Sequence, residues 1–214
     1  MGKILLTGFE PFGGEPLNPS LEAIKLLNGE TIDGSEIVSK GLPVVFGEAR
    51  PVLEEYIKEI NPELVISVGQ AGGRSAISVE RVAINVSDGR IPDNKGYQPI
   101  DEPINEKGPV AYWSMLPIKA IVKSIREAGI PAEVSQTAGT YVCNYIFYAL
   151  MDILTEYKGI RGGFIHIPFI PEQAVRNPGQ PSLSLEDIVK AIRIAIQTTL
   201  SHETDIVEAG GQIS

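Results

Sequence analysis

Cys143 is the only cysteine of the 214-residue chain, and His166 is one of only two histidines. Together they are where the sequence offers nucleophilic chemistry. Cys143 follows Ala138-Gly139-Thr140-Tyr141-Val142 and precedes an apolar stripe at Ile146, Phe147 and Leu150, which places it where a strand turns into a helix. A thiol in a first helical turn faces unpaired backbone N–H groups and the positive end of the helix dipole. Both favour thiolate, and the same N–H groups can hold an oxyanion. Taken alone, a small buried cysteine is the commoner reading.

His166 stands in Gly162-Gly163-Phe164-Ile165-His166-Ile167-Pro168, at the end of an apolar strand, and strand ends line the clefts of α/β sheets. A lone strand histidine is more often a satisfied core residue, but beside a helix-start cysteine it becomes a candidate general base. His202 lies among polar residues after the last helical segment and is the weaker candidate. Such a base needs a carboxylate on its other ring nitrogen. Glu80 fits, because the charged pair Glu80-Arg81 interrupts an apolar strand-like run, where a charge is costly unless partnered. The alternative is an ion pair with Arg81 or with a neighbouring strand. One cysteine, two widely separated histidines and no His-Glu-x-x-His motif leave no standard zinc set.

Short apolar runs ending in Gly or Pro alternate with longer stretches of helical period, the pattern of an α/β domain. Strands are predicted at 3–7, 36–44, 63–68, 79–86, 132–137 and 163–167, rich in Val and Ile as buried strands are. A first helix opens at Asn18-Pro19, where Asn18 can cap and Pro19 suits the first helical position, with a stripe at Leu21, Ile24 and Leu27. Further helices are predicted at 46–60, 115–128, 142–157 and 185–200. These elements imply a three-layer α/β/α sandwich around a mixed, largely parallel sheet, forming one domain over 1–214. Residues 87–109 carry several Pro, Gly, Asn and Asp residues without periodicity. A loop that long predicts a functional or interface role.

Two glycine-rich turns follow strands, at Thr7 to Gly14 and at Val68 to Arg74. Neither holds the Gly-Lys-Ser/Thr of a nucleoside triphosphate site, and the first lacks the dinucleotide-binding spacing. Phe9 and Phe12 on the first turn are candidate walls of an apolar pocket; the alternative is that they cap the core.

A formal charge of −9 with no Lys/Arg-rich run argues against a nucleic-acid partner. The lone cysteine cannot form an internal disulfide, which points to a reducing compartment and a cytoplasmic location. No apolar run approaches the roughly 20 residues of a membrane span. The Asn85-Val86-Ser87 sequon lies in an apolar run without an export signal and is discounted.

Six motifs in order resemble the pyroglutamyl peptidase I (pyrrolidone carboxyl peptidase) family: TGFEPFGG at Thr7 to Gly14, VGQAGGR at Val68 to Arg74, ERVAIN at Glu80 to Asn85, GRIPDN at Gly89 to Asn94, AGTYVCN at Ala138 to Asn144 and GFIHIP at Gly163 to Pro168. The resemblance spans nearly the whole chain. It implies hydrolysis of the amide bond after an N-terminal pyroglutamyl residue, with Cys143, His166 and Glu80 as the catalytic set. It further implies Phe9 and Phe12 sandwiching the pyrrolidone ring, and Asn18 and Gln70 shaping and hydrogen-bonding the site. By the same route Arg90 lies beside the oxyanion with the Cys143 backbone N–H, and Ile91, Tyr141 and Val142 complete the pocket. A fold of the nucleoside-phosphorylase kind, no metal or organic cofactor, peptide substrates, and a homotetramer in the cytoplasm are implied as well. The rival readings are a non-catalytic lactam- or nucleoside-binding protein and a nucleoside phosphorylase, which would need a phosphate site.

Overall fold

The computed structural model describes residues 2–211. In chain order its elements are β1 (Gly2–Phe9), α1 (Pro19–Leu27), β2 (Thr31–Ile32), β3 (Ser35–Leu42), α2 (Ala49–Ile60), β4 (Leu64–Gln70), β5 (Ile77–Glu80), β6 (Val82–Ile84), β7 (Ala111–Trp113), α3 (Ile118–Glu127), β8 (Ala132–Ser135), α4 (Val142–Leu154), β9 (Arg161–Ile167), α5 (Pro171–Ala174) and α6 (Leu185–Ser201). Seven strands form one sheet in the order β2-β3-β1-β4-β9-β5-β8, and β6 pairs with β7 apart from it. The β1/β3, β1/β4, β4/β9 and β5/β8 pairs are parallel. The β2/β3 and β5/β9 pairs run antiparallel. The sheet is thus mixed and mostly parallel, as the alternation of strand-like and helix-like segments predicts.

Strands β1, β4 and β9 are buried along nearly their whole length, because helices cover both faces of the sheet. Successive side chains leave a strand on opposite faces, so each strand feeds two cores. Ile4, Leu6, Ile66, Val68, Ile165 and Ile167 pack with Ile24 and Leu27 of α1, Ile121 and Ile125 of α3, and Ile188 and Ile192 of α6. Leu5, Phe9, Val65 and Phe164 meet Leu53 and Ile57 of α2 and Ile146, Phe147 and Leu150 of α4. Helix α4 is buried on almost every side, which is why its sequence is apolar all round rather than in a stripe. Asn18 caps α1 through its side chain to Ser20 N, with Pro19 at the first turn, as expected from the sequence.

The predicted strand at 79–86 is two strands in different sheets. The chain leaves the main sheet after Glu80, and β6 turns to pair with β7. The helix expected at 115–128 begins only at Ile118, because Pro117 holds the residue before it out of helical conformation. The helix expected at 46–60 begins at Ala49, and the one expected at 142–157 ends at Leu154. Residues 87–109 contain no helix or strand, only an isolated bridge between Ser87 and Glu102. No helix among the described residues is long and apolar enough to cross a membrane.

Candidate active site

Strand β9 carries His166 as its penultimate residue, opposite Gly69 of β4 and antiparallel to Ser78 of β5. Phe164 and His166, two apart on one strand, project to the face covered by α4, and their rings lie 4.8 Å apart. Glu80, two residues after Ser78, shares that face. Its Oε1 lies 2.7 Å from His166 Nδ1. A carboxylate only accepts, so Nδ1 carries the proton and Nε2 is left with its lone pair.

The same Glu80 oxygen also accepts from Arg74 Nη1 at 2.7 Å. Arg74 is held by Thr137 O at 2.9 Å and Ser135 Oγ at 3.3 Å. Glu80 is fully buried, and its other oxygen, Oε2, has no partner among the described residues. The ion pair considered from sequence, with Arg81, does not form. Adjacent strand residues face opposite ways, and Arg81 instead bonds Gln136 Oε1 and Gly210 O. Arg74 was not singled out in the sequence; it reaches Glu80 because the turn after β4 reverses the chain at Gly73, whose φ of +88° favours glycine.

Cys143 is the second residue of α4 and is partly buried. Its Sγ lies directly over Gly69. A Cβ at that position would come within 2.9 Å of Sγ and 2.7 Å of Phe164 Cζ, so the strand needs glycine here for close approach. Thiol and imidazole therefore sit over neighbouring strands at one level of the sheet, although no hydrogen bond joins Cys143 to His166 in this state. Burial pushes the Cys143 thiol up to about 12, Glu80 adds to the rise, and Arg74 partly opposes it. Burial likewise holds His166 below its ordinary value, with Glu80 pulling the other way and Arg74 reinforcing the fall. Burial thus works against the thiolate that a helix start favours.

Beside Sγ lies a tight cavity of about 10 Å³ lined by Phe9, Phe12, Asn18, Val44, Gln70, Tyr141, Val142 and Cys143. That is far below the ~300–1,000 Å³ typical of drug-sized ligand sites, so the pocket is nearly closed in this structure and its walls have to part to admit a ring. Phe9 does both jobs weighed from sequence: it is 2% exposed and packs on Phe164 at 6.2 Å while its ring faces the cavity. Phe12 stands 6.1 Å from Tyr141 across the mouth. The Asn18 amide is spent on shape, donating to Glu10 O and accepting from Ser20 N and Ser20 Oγ. A larger depression of about 360 Å³ near Lys119, Arg126 and Glu208 opens to solvent, is edged by charged side chains and contains none of these residues.

Arg90 and Ile91 lie outside the cavity lining. Arg90 is exposed and bonds no described side chain, and Ile91 is 41% exposed. Both ride on a loop laced to the site's rim. Asp88 and Thr140 exchange backbone and hydroxyl bonds, Tyr141 Oη donates to Pro92 O at 3.0 Å, Asn94 Nδ2 donates to Pro11 O at 2.9 Å, and Asp93 accepts from Phe46 N. Asn144, beside the thiol, is fully buried and clamps Ile84 N, Ile84 O and Val86 O. Its polar side chain in the apolar run of α4 was a signal the sequence did carry. Among the described residues no group of three or more His, Cys, Asp or Glu could hold a metal ion.

A thiol, a carboxylate-bound histidine and a small apolar cavity are what a cysteine hydrolase acting on a compact ring requires, and comparison with known proteins agrees. The profile of the pyroglutamyl peptidase family matches residues 2–202. The chain is 59% identical to a pyrrolidone-carboxylate peptidase of Bacillus cereus (strain G9842) over 212 residues, 99% of each chain. It superposes on the crystal structure of pyroglutamyl peptidase I from Bacillus amyloliquefaciens with a TM-score of 0.95 at 55% identity, covering 97% of this chain and 99% of that one. A mutant pyrrolidone carboxyl peptidase from the hyperthermophile Pyrococcus furiosus gives 0.90 at 48% identity, covering 93% and 98%. The chain belongs to the pyroglutamyl peptidase family.

Proposed function

We propose that Cys143, His166 and Glu80 are the nucleophile, base and orienting carboxylate with which this pyroglutamyl peptidase removes an N-terminal pyroglutamyl residue from peptides. The observation that carries the assignment is the 2.7 Å hydrogen bond that Glu80 Oε1 accepts from His166 Nδ1, on the face where Cys143 Sγ opens into the cavity. His166 Nε2 takes the thiol proton as Sγ attacks the carbonyl joining pyroglutamate to the next residue. Glu80 stabilises the imidazolium as it forms. The backbone N–H of Cys143, with Arg90 swinging in from the exposed loop, holds the oxyanion. His166 then protonates the leaving amine, and water cleaves the thioester to free pyroglutamate.

The lactam ring carries no charge, so it can enter between Phe9, Phe12 and Tyr141 without stranding an ion, with Val142 below and Ile91 closing from the loop. Gln70 and the turn shaped by Asn18 meet its polar atoms. A proline ring lacks the ring carbonyl and brings a charged amine. A pocket built to bond that carbonyl rejects such a ring by about 10⁴-fold. Comparing kcat/KM for pyroglutamyl and prolyl amides of one fluorophore tests the reading, and similar values for the two would refute it. We also propose a homotetramer in the cytoplasm, supported by the outward Val110 and Trp113, 87% and 67% exposed around the β6/β7 pair, which a second subunit would cover.

A further inference from the structure

Two side-chain amides meet behind the cavity. Gln173, on the short α5 that follows β9, is completely buried, a position in which an amide has to find partners for its polar atoms. Its Oε1 accepts from Ile170 N at 3.4 Å, and its Nε2 donates to Gln70 Oε1 at 2.9 Å. The order is dictated by the backbone. A main-chain N–H can only donate, so the oxygen of Gln173 must face Ile170 and its NH₂ must face Gln70. Gln70 Oε1 is therefore occupied. Gln70 Nε2 has no hydrogen bond to the described residues, while the residue lines the cavity.

We propose that Gln173 is a positioning residue that locks the Gln70 amide with its NH₂ toward the cavity, so that the pocket donates to the ring carbonyl of the lactam. This rests on the proposed function for the identity of the ring. Without Gln173 the amide of Gln70 can turn over and present its oxygen, which repels that carbonyl. Replacing Gln173 by a carboxylate forces the same turn, since only Gln70 Nε2 could then donate across the pair.

The test is a double-mutant cycle on a fluorogenic pyroglutamyl amide with Gln173→Met, Gln70→Met and the double variant. Gln173→Met is expected to raise KM about tenfold, the loss of one hydrogen bond, with kcat changed less than about twofold. In the Gln70→Met background it is expected to change KM no further. Gln173→Glu keeps the shape of the side chain and is expected to raise KM at least as much, so the proposal stays testable if the methionine variant does not fold. An unchanged KM in folded Gln173→Met, or an equal rise in both backgrounds, would overturn the proposal. The same cycle is run on calorimetric binding of 2-pyrrolidone, which needs no turnover. A wild-type protein that binds the lactam but does not hydrolyse the amide would therefore overturn the catalytic assignment and leave this one to the binding cycle.

Discussion

Removing Arg74 should destabilise the protein and shift its pH profile together, because one guanidinium serves both ends of the Glu80 cluster. In Arg74→Met the buried carboxylate loses the partner 2.7 Å from Oε1 and keeps only His166, while Oε2 is already unpartnered. At an effective dielectric constant near 20, a pair at that distance is worth about 6 kcal/mol of gross attraction. Breaking a buried pair costs a net ~3–5 kcal/mol. Arg74 is about a quarter exposed, so the lower end, about 3 kcal/mol, is the expected loss in urea unfolding at pH 7. The charge of Arg74 also pushes His166 down. Without it the imidazole takes up its proton at higher pH, so the acid limb of kcat/KM should move to higher pH. Arg74→Lys keeps the charge but cannot bridge Glu80, Ser135 and Thr137 at once, and should fall between. An unfolding midpoint within about 0.5 kcal/mol of the parent, together with an unmoved acid limb, would refute the assignment of Arg74 to this cluster.

Three further outcomes follow from the geometry. Gly69→Ala places a methyl between Cys143 Sγ and the Phe164 ring, so it should cost about 1–3 kcal/mol of stability and lower kcat more than it raises KM, read by denaturation and steady-state kinetics on one preparation. Alkaline pH should destabilise the fold. Cys143 is raised to about 12 from its ordinary 9.0 and Tyr141 to about 12 from 10.0 by burial, so the unfolded chain loses these protons first and stability declines as pH rises past about 9; a midpoint constant from pH 8 to 11 would contradict this. Light scattering after size exclusion should report four chains per particle, with Trp113→Glu shifting it to smaller species, whereas a monomeric parent would remove the assembly proposal without touching the chemistry.

The catalytic candidates were legible because their types are scarce and their contexts legible: one cysteine at a strand-to-helix junction, one strand-end histidine and one charge in an apolar run. The main sheet was legible for the same reason, since β1, β4 and β9 are continuous apolar segments. Elements of two to four residues, β2, β7 and α5, are too short to show a period, so the β6/β7 pair and the seat of Gln173 could not be foreseen. His166 was foreseen as the partner of Glu80, but its second partner, Arg74, was not. Arg81 stands next to Glu80 in sequence but on the other side of the strand, whereas Arg74 arrives through a glycine turn whose reach no pattern encodes. The burial that works against the thiolate is visible only once α4 is seen packed over Gly69 and Phe164.

Hydrolysis of a fluorogenic pyroglutamyl amide by the parent protein and by Cys143→Ala, under reducing conditions with a chelator present, tests the assignment of the nucleophile most directly. Release by the parent and none above background by Cys143→Ala is the expected result. Equal release by both would place the nucleophile elsewhere and contradict the mechanism.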